Sequence, residues 1–431
     1  MKEFFQAKTI AVIGASREPE KAGHIIFRNL LHNKNLKVIP INPNAPEIIR
    51  QKCYASVLDY KDKIDLAIIA IPSAFVVKAL EQCGKKKIKS VIIISSGFSE
   101  SGNFKDEQLL EKLAEKYKIR IIGPNSLGLL SPYQELNASF FRQLPQKGSL
   151  AFISQSGAIG AGILDKSIKD NFGLSGFVSV GNCLSLDFSD FIEYYNKDKE
   201  TKIIALYIES LKKARGARFI ETCRKANKPL IVIKSGKTKL GELAAKSHTA
   251  ALASEQGVYE SIFKQARIIE LESIRELSNF SLIYTKLGKL GKNALIVTNA
   301  GGLGVLASDV LSKSGVSLPE LPAKLKKSLL SAFPSGRYNN PLDLLGDATP
   351  ERYKKVLDFL EKENFFDFYI FLMSPQYMTN PFEISKVFLE LKKPALAVFL
   401  GGESFDRAKI LLRDKLVLLD DVSDLSILGK L

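Results

Sequence analysis

Short apolar runs alternate with amphipathic stretches over residues 1–125 of the chain. The runs are KTIAVIGAS, KVIPINP, IDLAIIAIP, SVIIISSGF and IRIIGPNSLG. Runs that are apolar throughout are typical of strands covered on both faces by helices, which is the arrangement of a parallel sheet. Because the runs alternate with helical patterns, right-handed βαβ crossovers should connect the strands. The pattern therefore predicts a parallel α/β unit at the start of the chain.

The same alternation occurs twice more along the chain. Over residues 147–287 the apolar runs are GSLAFIS, GFVSV, KIIALYIE, PLIVIK and RIIEL, and over 290–431 they are ALIVTN, FDFYIFLMS, PALAVFL and LVLLD. The breaks between the blocks, near 145–148 and 288–291, are polar and contain glycine. Since a domain typically takes about 100–200 residues, the pattern predicts three consecutive α/β units.

Composition and charge narrow the class of protein. Of the 431 residues, 45% are apolar and 25% are charged, which suits well-formed cores rather than disorder. The formal net charge is +16, but the basic residues are scattered. We therefore expect a polyanionic ligand or an acidic partner rather than a nucleic acid.

The spacing of the cysteines and the hydropathy of the chain argue against metal sites, disulfides and membrane-spanning segments. The four cysteines are widely spaced without a CxxC pair, so neither a metal site nor a disulfide framework is predicted. No segment reaches about 18 consecutive apolar residues, the length that spans a membrane. The apolar start of the chain ends in a glycine loop and is interpreted as a strand rather than a signal peptide. We expect a cytoplasmic protein that binds no membrane.

The loop after the first predicted strand, Gly14-Ala15-Ser16, resembles a dinucleotide loop but lacks the GxGxxG pattern. The second strand ends in Asn42-Pro43, where a nicotinamide-binding unit would carry an acid for the ribose hydroxyl. Arg17 and Lys21 place positive charge beside the loop. These features favour a ligand with an extra phosphate, such as coenzyme A, and a generic Rossmann domain remains the alternative.

Small polar residues follow each strand of the first unit. Because ligands bind outside the carboxyl ends of parallel strands, these loops predict one continuous binding rim. The predicted coenzyme A residues are Gly14, Ala15, Ser16, Arg17, Lys21, Asn42, Pro43, Pro72, Ser95, Ser96, Gly97, Pro124 and Asn125.

Two further glycine loops each follow a strand and open a helix. Backbone N–H groups at a helix start carry partial positive charge and bind anions. One such loop also suits an ordinary tight turn, but two in adjacent units, with a histidine between them in sequence, indicate a phosphate site. The predicted phosphate-binding residues are Ser154, Gln155, Ser156 and Gly157 in the first loop and Asn299, Gly301 and Gly302 in the second.

His248 lies among small residues in AAKSHTAAL, which is unusual for a core histidine. A neutral imidazole is a nucleophile at physiological pH, so His248 is a candidate carrier of a phosphoryl group. Glu209 ends the strand IIALYIES, where a carboxylate can hydrogen-bond and orient an imidazole. The alternatives are a surface histidine and a surface acid.

The segment Ser235-Gly236-Lys237-Thr238 looks like the end of a Walker A loop. That motif requires a glycine five positions before Gly236, and Ile231 stands there. We therefore predict no P-loop, and we expect the glycines at 236 and 241 to bracket a flexible loop that carries His248.

Taken together, these motifs resemble the alpha subunits of ADP-forming acetate–CoA ligases, in the succinyl-CoA synthetase superfamily. The resemblance covers nearly the whole chain. The motifs that carry it are IAVIGAS with Lys21 and Gly23 after it, INPN (41–44), SSGFSE (95–100), GPNSLG (123–128), ISQSGA (153–158), SVGN (179–182), LYIES (206–210), SHTAALA (247–253), VTNAGG (297–302) and NPLDLLGDATPERY (340–353).

The resemblance implies a CoA-binding Rossmann-like domain over 1–128, followed by two flavodoxin-like parallel-sheet domains. The first of these, over 147–287, would carry the phosphohistidine, and the second, over 290–431, would be the ligase-CoA domain. The implied reaction converts acyl-CoA, phosphate and ADP into a carboxylic acid, CoA and ATP. It would pass through an acyl phosphate and a phosphohistidine at His248, with Glu209 as the second catalytic residue.

The resemblance also implies a partner. In these enzymes an ATP-grasp domain transfers the phosphoryl group to ADP with Mg²⁺, and nothing after residue 287 reads as such a domain. We expect a separate ATP-grasp beta subunit, in an α2β2 heterotetramer, and a small carboxylic acid as substrate, which the sequence leaves open among acetate, branched-chain and aryl acids. A non-catalytic CoA sensor or scaffold is the competing class, and a nicotinamide oxidoreductase is a more distant one.

The segment after SVGN departs from the family pattern. Relatives usually carry a basic residue and an acid there, whereas this chain has Cys183, Leu184 and Ser185 before Leu186, and keeps Asp187. We expect this difference to concern substrate choice or the subunit contact.

Overall fold

The computed structural model describes residues 1–241, 256–334 and 338–431. The chain divides into two compact units, Met1–Leu277 and Ser278–Leu431. Among the described residues, the helices are all too short or too polar to cross a membrane.

The first sheet has five parallel strands in the order β2-β1-β5-β6-β7. Its apolar runs form strands because helices cover both faces, as the burial of every residue in β5 and β6 shows. The elements of this part are α1 (Lys2–Phe5), β1 (Thr9–Ile13), α2 (Ala22–Leu31), β2 (Lys37–Ile41), β3 (Glu47–Ile48), β4 (Gln51–Lys52), β5 (Leu66–Ile69), α3 (Ser73–Lys85), β6 (Ser90–Ile93), α4 (Phe104–Tyr117) and β7 (Arg120–Ile122).

The second sheet has seven strands in the order β14-β13-β12-β10-β11-β8-β9. Five of them are parallel, and the hairpin of β8 and β9 extends the sheet by antiparallel pairing with β11. The sequence pattern did not predict this hairpin. The elements are β8 (Gly128–Ser131), β9 (Leu136–Ser139), β10 (Lys147–Ser154), α5 (Gly157–Asp170), β11 (Leu174–Ser179), α6 (Phe188–Lys197), β12 (Ile203–Ile208), α7 (Gly216–Arg224), β13 (Leu230–Lys234), α8 (Gln256–Ala266) and β14 (Ile269–Leu271).

The first two sheets share one apolar core inside the first compact unit. Val12 and Ile92 of the first sheet belong to the same buried cluster as Val178 and Ile204 of the second. Asn29 on α2 also reaches the hairpin, because its amide donates to the carbonyl oxygen of Ser139 at 3.0 Å. The hairpin therefore fastens the first sheet to the second.

The third sheet, in the second compact unit, is five-stranded and parallel in the order β16-β15-β17-β18-β19. Helix α9 begins before the division between the units and ends after it. The elements are α9 (Ile274–Leu287), β15 (Ala294–Thr298), α10 (Gly301–Lys313), α11 (Ala323–Ala332), β16 (Leu342–Asp343), α12 (Pro350–Leu360), β17 (Phe368–Met373), α13 (Pro381–Phe388), β18 (Ala395–Phe399), α14 (Asp406–Leu412) and β19 (Val417–Leu419). Short 3₁₀ helices cover Ser99–Ser101, Pro132–Gln134, Lys213–Arg215, Glu403–Phe405 and Val422–Lys430.

All three sheets repeat one strand order. If the parallel strands of each sheet are counted along the chain, the spatial order is second, first, third, fourth, fifth. This is the flavodoxin-like doubly wound order, in which the crevice for a ligand opens between the first and third strands. The α/β fold class predicted from the apolar runs is confirmed, and each sheet has one such crevice at a glycine loop.

Candidate functional site

The loop after β1 lies at the crevice of the first sheet. Gly14 has φ +94°, a backbone conformation that side chains rarely adopt. A Cβ atom added there would lie 2.3 Å from the carbonyl oxygen of Ala70, at the end of the third parallel strand. Gly14 therefore allows the loops of the first and third strands to touch at the crevice.

A second glycine, Gly23, brings helix α2 against the same loop. A Cβ added at Gly23 would lie 1.9 Å from the carbonyl oxygen of Gly14. The helix start can approach the loop this closely only without a side chain. Gly23 belongs to the motifs that carry the family resemblance but is not among the predicted coenzyme A residues.

Asn42 and His24 stabilise this loop from its two sides. The Asn42 side-chain amide donates to the carbonyl oxygen of Ala15 at 2.8 Å. The His24 ring nitrogen Nδ1 lies 2.8 Å from the carbonyl oxygen of Ser16. In the structure the amide of Asn42, a predicted coenzyme A residue, thus holds the loop in shape.

The predicted positive charges lie at the surface beside the loop. Arg17 is exposed, and the Lys21 ammonium is 3.5 Å from Glu18 with 62% of its side chain exposed. An exposed ion pair of this kind contributes little to stability. The side chains of Arg17 and Lys21 can therefore turn toward an anionic ligand at a small cost in free energy.

Hydrogen bonds link the remaining strand ends of the first sheet into one rim. The Ser95 hydroxyl donates to the carbonyl oxygen of Ile71 at 2.5 Å, and the backbone N–H of Asn125 donates to the carbonyl oxygen of Ser95 at 2.8 Å. Gly97 has φ +101°, and a Cβ there would lie 2.8 Å from the Ser73 hydroxyl. The structure therefore brings the predicted rim residues of β5, β6 and β7 together. Pro43, Pro72 and Ser96 are exposed along this rim, and Pro124 is buried.

The loop after β10 opens helix α5 at the crevice of the second sheet. Ser154 is fully buried, and its hydroxyl donates to the carbonyl oxygen of Ser156 at 2.7 Å. The Ser156 hydroxyl caps the helix by accepting from the N–H of Ile159 at 3.3 Å. The first N–H groups of a helix have no partner within the helix. Those at Gly157 and Ala158 are the groups of this loop that suit an anion.

Glu209 lies across the same crevice, at the end of the third parallel strand β12. The Gln155 side-chain oxygen accepts the backbone N–H of Glu209 at 2.6 Å and that of Ser210 at 2.9 Å. Gln155, predicted as a phosphate residue, therefore joins the anion loop to the half-buried Glu209. The structure brings Glu209 and the Ser154–Gly157 loop together, as the prediction requires. His248 lies outside the described residues.

The lysine of the rejected Walker-like segment is held by carboxylates. The Lys237 ammonium lies 2.7 Å from Glu270 and 2.8 Å from Glu272. Burial acts to lower the pKa of Lys237, but the hydrogen bonds to these two carboxylates prevail and raise it. Lys237 is thus paired with two carboxylates of its own unit.

The loop after β15 differs from the loop after β10. Asn299 is 2% exposed, and its side chain bonds to the backbone of Ser374 through both its nitrogen, at 2.9 Å, and its oxygen, at 3.0 Å. Its amide shapes the crevice of the third sheet and faces the protein interior. A Cβ added at Gly301 would lie 2.9 Å from the Asp343 carboxylate, whereas one at Gly302 would meet no atom within 4 Å. The phosphate-binding role of Asn299, Gly301 and Gly302 stays a prediction.

The segment that departs from the family pattern forms an internal junction between the first two sheets. The N–H of Leu184 donates to the carbonyl oxygen of Gly123 at 3.0 Å, and that of Leu186 donates to Ile121 at 3.2 Å. Arg215 donates to the carbonyl oxygens of residues 183 and 184 and to Asp187. Leu184 is only 2% exposed, so apolar side chains suit this junction better than charged ones.

Family comparisons match most of the chain. A CoA binding domain matches residues 8–132, a succinyl-CoA ligase like flavodoxin domain matches 147–283, and a ligase-CoA domain matches 294–390. The chain is 40% identical over 422 residues to the alpha subunit of acetate–CoA ligase (ADP-forming) II of Pyrococcus furiosus. This match covers 95% of this chain and 92% of that subunit.

Two further relatives show the extent of the similarity. The acetate–CoA ligase (ADP-forming) of Methanocaldococcus jannaschii is 42% identical over 425 residues, and the match covers 96% of this chain but 60% of that longer protein. The dinucleotide-forming acetyl-coenzyme A synthetase 1 of Ca. Korarchaeum cryptofilum, solved with phosphate and ADP, superimposes with a TM-score of 0.93 at 33% identity. That match covers 100% of this chain and 95% of the other.

The chain therefore belongs to the ADP-forming acetate–CoA ligase family, in the part that the alpha subunits comprise. The resemblance inferred from the motifs is confirmed. Since the relatives are named as ligases and synthetases, the comparisons favour an enzyme over a non-catalytic CoA sensor.

Proposed function

We propose that this chain is the alpha subunit of an ADP-forming acyl-CoA synthetase that carries the phosphoryl group on His248. The observation that supports this most strongly is the crevice of the second sheet. There Gln155 ties the start of an anion-binding helix to the backbone of Glu209, 2.6 Å away. The predicted phosphate loop and the carboxylate that would contact the imidazole thus lie at the same crevice, between the first and third parallel strands of the second sheet.

Coenzyme A binds, in this proposal, at the crevice of the first sheet. The close approach of Gly23 to Gly14 brings the start of α2 against the loop, and the N–H groups of that helix start can receive a pyrophosphate. Arg17 and Lys21 supply positive charge for the additional phosphate. Residues 1–128 are then the CoA domain, 147–287 the phosphohistidine domain and 290–431 the ligase-CoA domain.

In this proposal the reaction on this chain has two steps. A phosphate oxygen attacks the acyl carbon of acyl-CoA, the C–S bond breaks, and CoA leaves with the proton of the phosphate. An imidazole nitrogen of His248 then attacks the phosphorus of the acyl phosphate, and the carboxylate leaves with the electrons of the P–O bond. Glu209 orients the imidazole and offsets its positive charge, while N–H groups at the start of α5 stabilise the phosphoryl oxygens.

The last transfer, to ADP, belongs to a partner in this proposal. The match to this chain covers only 60% of the longer M. jannaschii relative, but it covers 92% of the P. furiosus alpha subunit. These proportions support a division of the activity between an alpha chain and an ATP-grasp beta subunit that binds ADP and Mg²⁺, in an α2β2 assembly. The four free, buried cysteines suit a cytoplasmic location.

The release of CoA tests the proposed reaction. The purified chain, given acetyl-CoA and phosphate, should release about one equivalent of thiol per site in a burst, measured with a thiol reagent. The buried cysteines of the chain itself react slowly. The same thiol release without phosphate, or none with it, would contradict the reaction.

Lys21→Ala should weaken CoA binding by about 1–2 kcal/mol, because one charge-assisted contact to a phosphate is lost. Isothermal calorimetry measures the change. Lys34→Ala, which removes an exposed lysine beyond the far end of α2, is the matched control and should bind CoA like the wild type. Unchanged affinity in Lys21→Ala would remove Lys21 from the site.

Glu209→Gln should slow phosphorylation of the chain at least about tenfold, equivalent to about 1.4 kcal/mol in the barrier. The amide keeps the size of the side chain but loses the charge that supports an imidazolium. Rapid-quench measurement of the labelled chain gives the rate, and circular dichroism monitors the fold. Wild-type rates in this variant would separate Glu209 from the reaction.

A further inference from the structure

A buried lysine, Lys234, contacts the backbone of Glu209. Lys234 ends strand β13, which pairs with β12, and is 8% exposed. Its ammonium donates to the carbonyl oxygen of Glu209 at 2.8 Å and also to that of Ser235. It lies 4.5 Å from the centroid of the Tyr259 ring, within the range of a cation–π contact.

Lys234 is one of three side chains that hydrogen-bond to the backbone of residues 209–211. The N–H of Glu209 is held by the Gln155 side chain at 2.6 Å, and its carbonyl oxygen is held by Lys234. Two residues further along, the N–H of Leu211 donates to the Tyr259 hydroxyl at 2.9 Å. The backbone from which the Glu209 side chain projects is therefore fixed at both polar groups.

Burying an ammonium group is costly when an apolar side chain could fill the same strand position. The preceding residue of β13, Ile233, is apolar and is also buried. Fixing the direction of one carboxylate can repay that cost, since a displacement of about 1 Å in a catalytic group can reduce a rate about a hundredfold.

We propose that Lys234 is a positioning residue that acts on phosphoryl transfer through Glu209. The inference rests on the proposed function. Lys234 holds the Glu209 carbonyl oxygen and thereby fixes the backbone from which the carboxylate projects.

Lys228, at the other end of the same strand, offers a matched control. It precedes β13, is half-buried, and donates to the carbonyl oxygens of Tyr195 at 2.7 Å and of Asp198. Lys228→Met thus removes another lysine that donates to two backbone carbonyl oxygens, but just before β13 begins, at the edge of the sheet opposite Glu209.

The first experiment compares the two methionine variants with the wild type in full-length chain. With radiolabelled acetyl phosphate, Lys234→Met should label His248 about tenfold more slowly at saturation, with the half-saturating concentration unchanged within about twofold. Lys228→Met should label at the wild-type rate, and both variants should bind CoA normally. Equal losses in the two variants, or no loss in Lys234→Met, would overturn the proposal.

A double-mutant cycle shows whether Lys234 acts through Glu209. Adding Lys234→Met to Glu209→Gln should slow labelling less than about twofold further, because the carboxylate that is positioned is already gone. A second full tenfold loss would show an independent role and overturn the proposal. If Lys234→Met does not bind CoA, Lys234→Arg takes its place in the cycle. An absence of label on the wild type would contradict the proposed function itself and is distinct from each of these outcomes.

Discussion

Replacing His248 by alanine is expected to abolish transfer of the phosphoryl group from acetyl phosphate to the chain. The imidazole is the nucleophile of the proposed reaction, and alanine offers no atom to bond to phosphorus. Labelled acetyl phosphate and gel autoradiography under alkaline conditions, where phosphohistidine survives, measure the transfer.

The other two histidines make good controls for this experiment. His32 is exposed at the end of α2, and His32→Ala should be labelled like the wild type. His24 lies 2.8 Å from the carbonyl oxygen of Ser16, so its replacement would disturb the predicted CoA loop and is less informative. Equal label on His248→Ala and wild type would remove His248 from the mechanism.

Gly23→Ala is expected to disrupt the CoA site and to destabilise the first compact unit. The added Cβ would lie 1.9 Å from the carbonyl oxygen of Gly14, a backbone atom that cannot rotate away. Overpacking of this kind typically costs about 1–3 kcal/mol of folding free energy. Because α2 must move away from the loop, CoA affinity should fall at least about tenfold, or about 1.4 kcal/mol.

Gly162→Ala is the matched control for Gly23→Ala. Gly162 lies inside α5, and a Cβ added there would meet no atom within 4 Å. Alanine should therefore stabilise this helix by up to about 1 kcal/mol and leave CoA binding unchanged. Thermal unfolding and calorimetry on both variants check the pair. Normal CoA binding by Gly23→Ala would show that the close approach of α2 is not needed for the site.

The sequence predicted the layers of the fold well, because parallel strands covered on both faces leave a clear signal. The apolar runs at β10, β12 and β15 are buried along nearly their whole length, and each ends at a polar or glycine loop. Local pattern was also sufficient to place the glycine loops at helix starts. The confirmed family membership rests on the same segments.

What the sequence could not predict depends on partners distant along the chain. Asn42 and Asn299 are predicted ligand-binding residues, and nothing in the sequence shows that their side chains bond to backbone groups of their own unit. Gln155 and Glu209 are 54 residues apart, and only the pairing of β10 with β12 brings them together. Lys234 carries no motif of its own, so nothing in the sequence distinguishes it from the other lysines.

A pulse and chase with labelled phosphate tests the central claim most directly. The purified chain is incubated with acetyl-CoA and labelled phosphate, freed of small molecules, and then given ADP and Mg²⁺ with or without an ATP-grasp beta subunit of the family. The account predicts acid-labile label on the wild-type chain that is stable to ADP alone and passes to ATP when the beta subunit is added. Label that forms ATP without the beta subunit, or a chain that never becomes labelled, would contradict it.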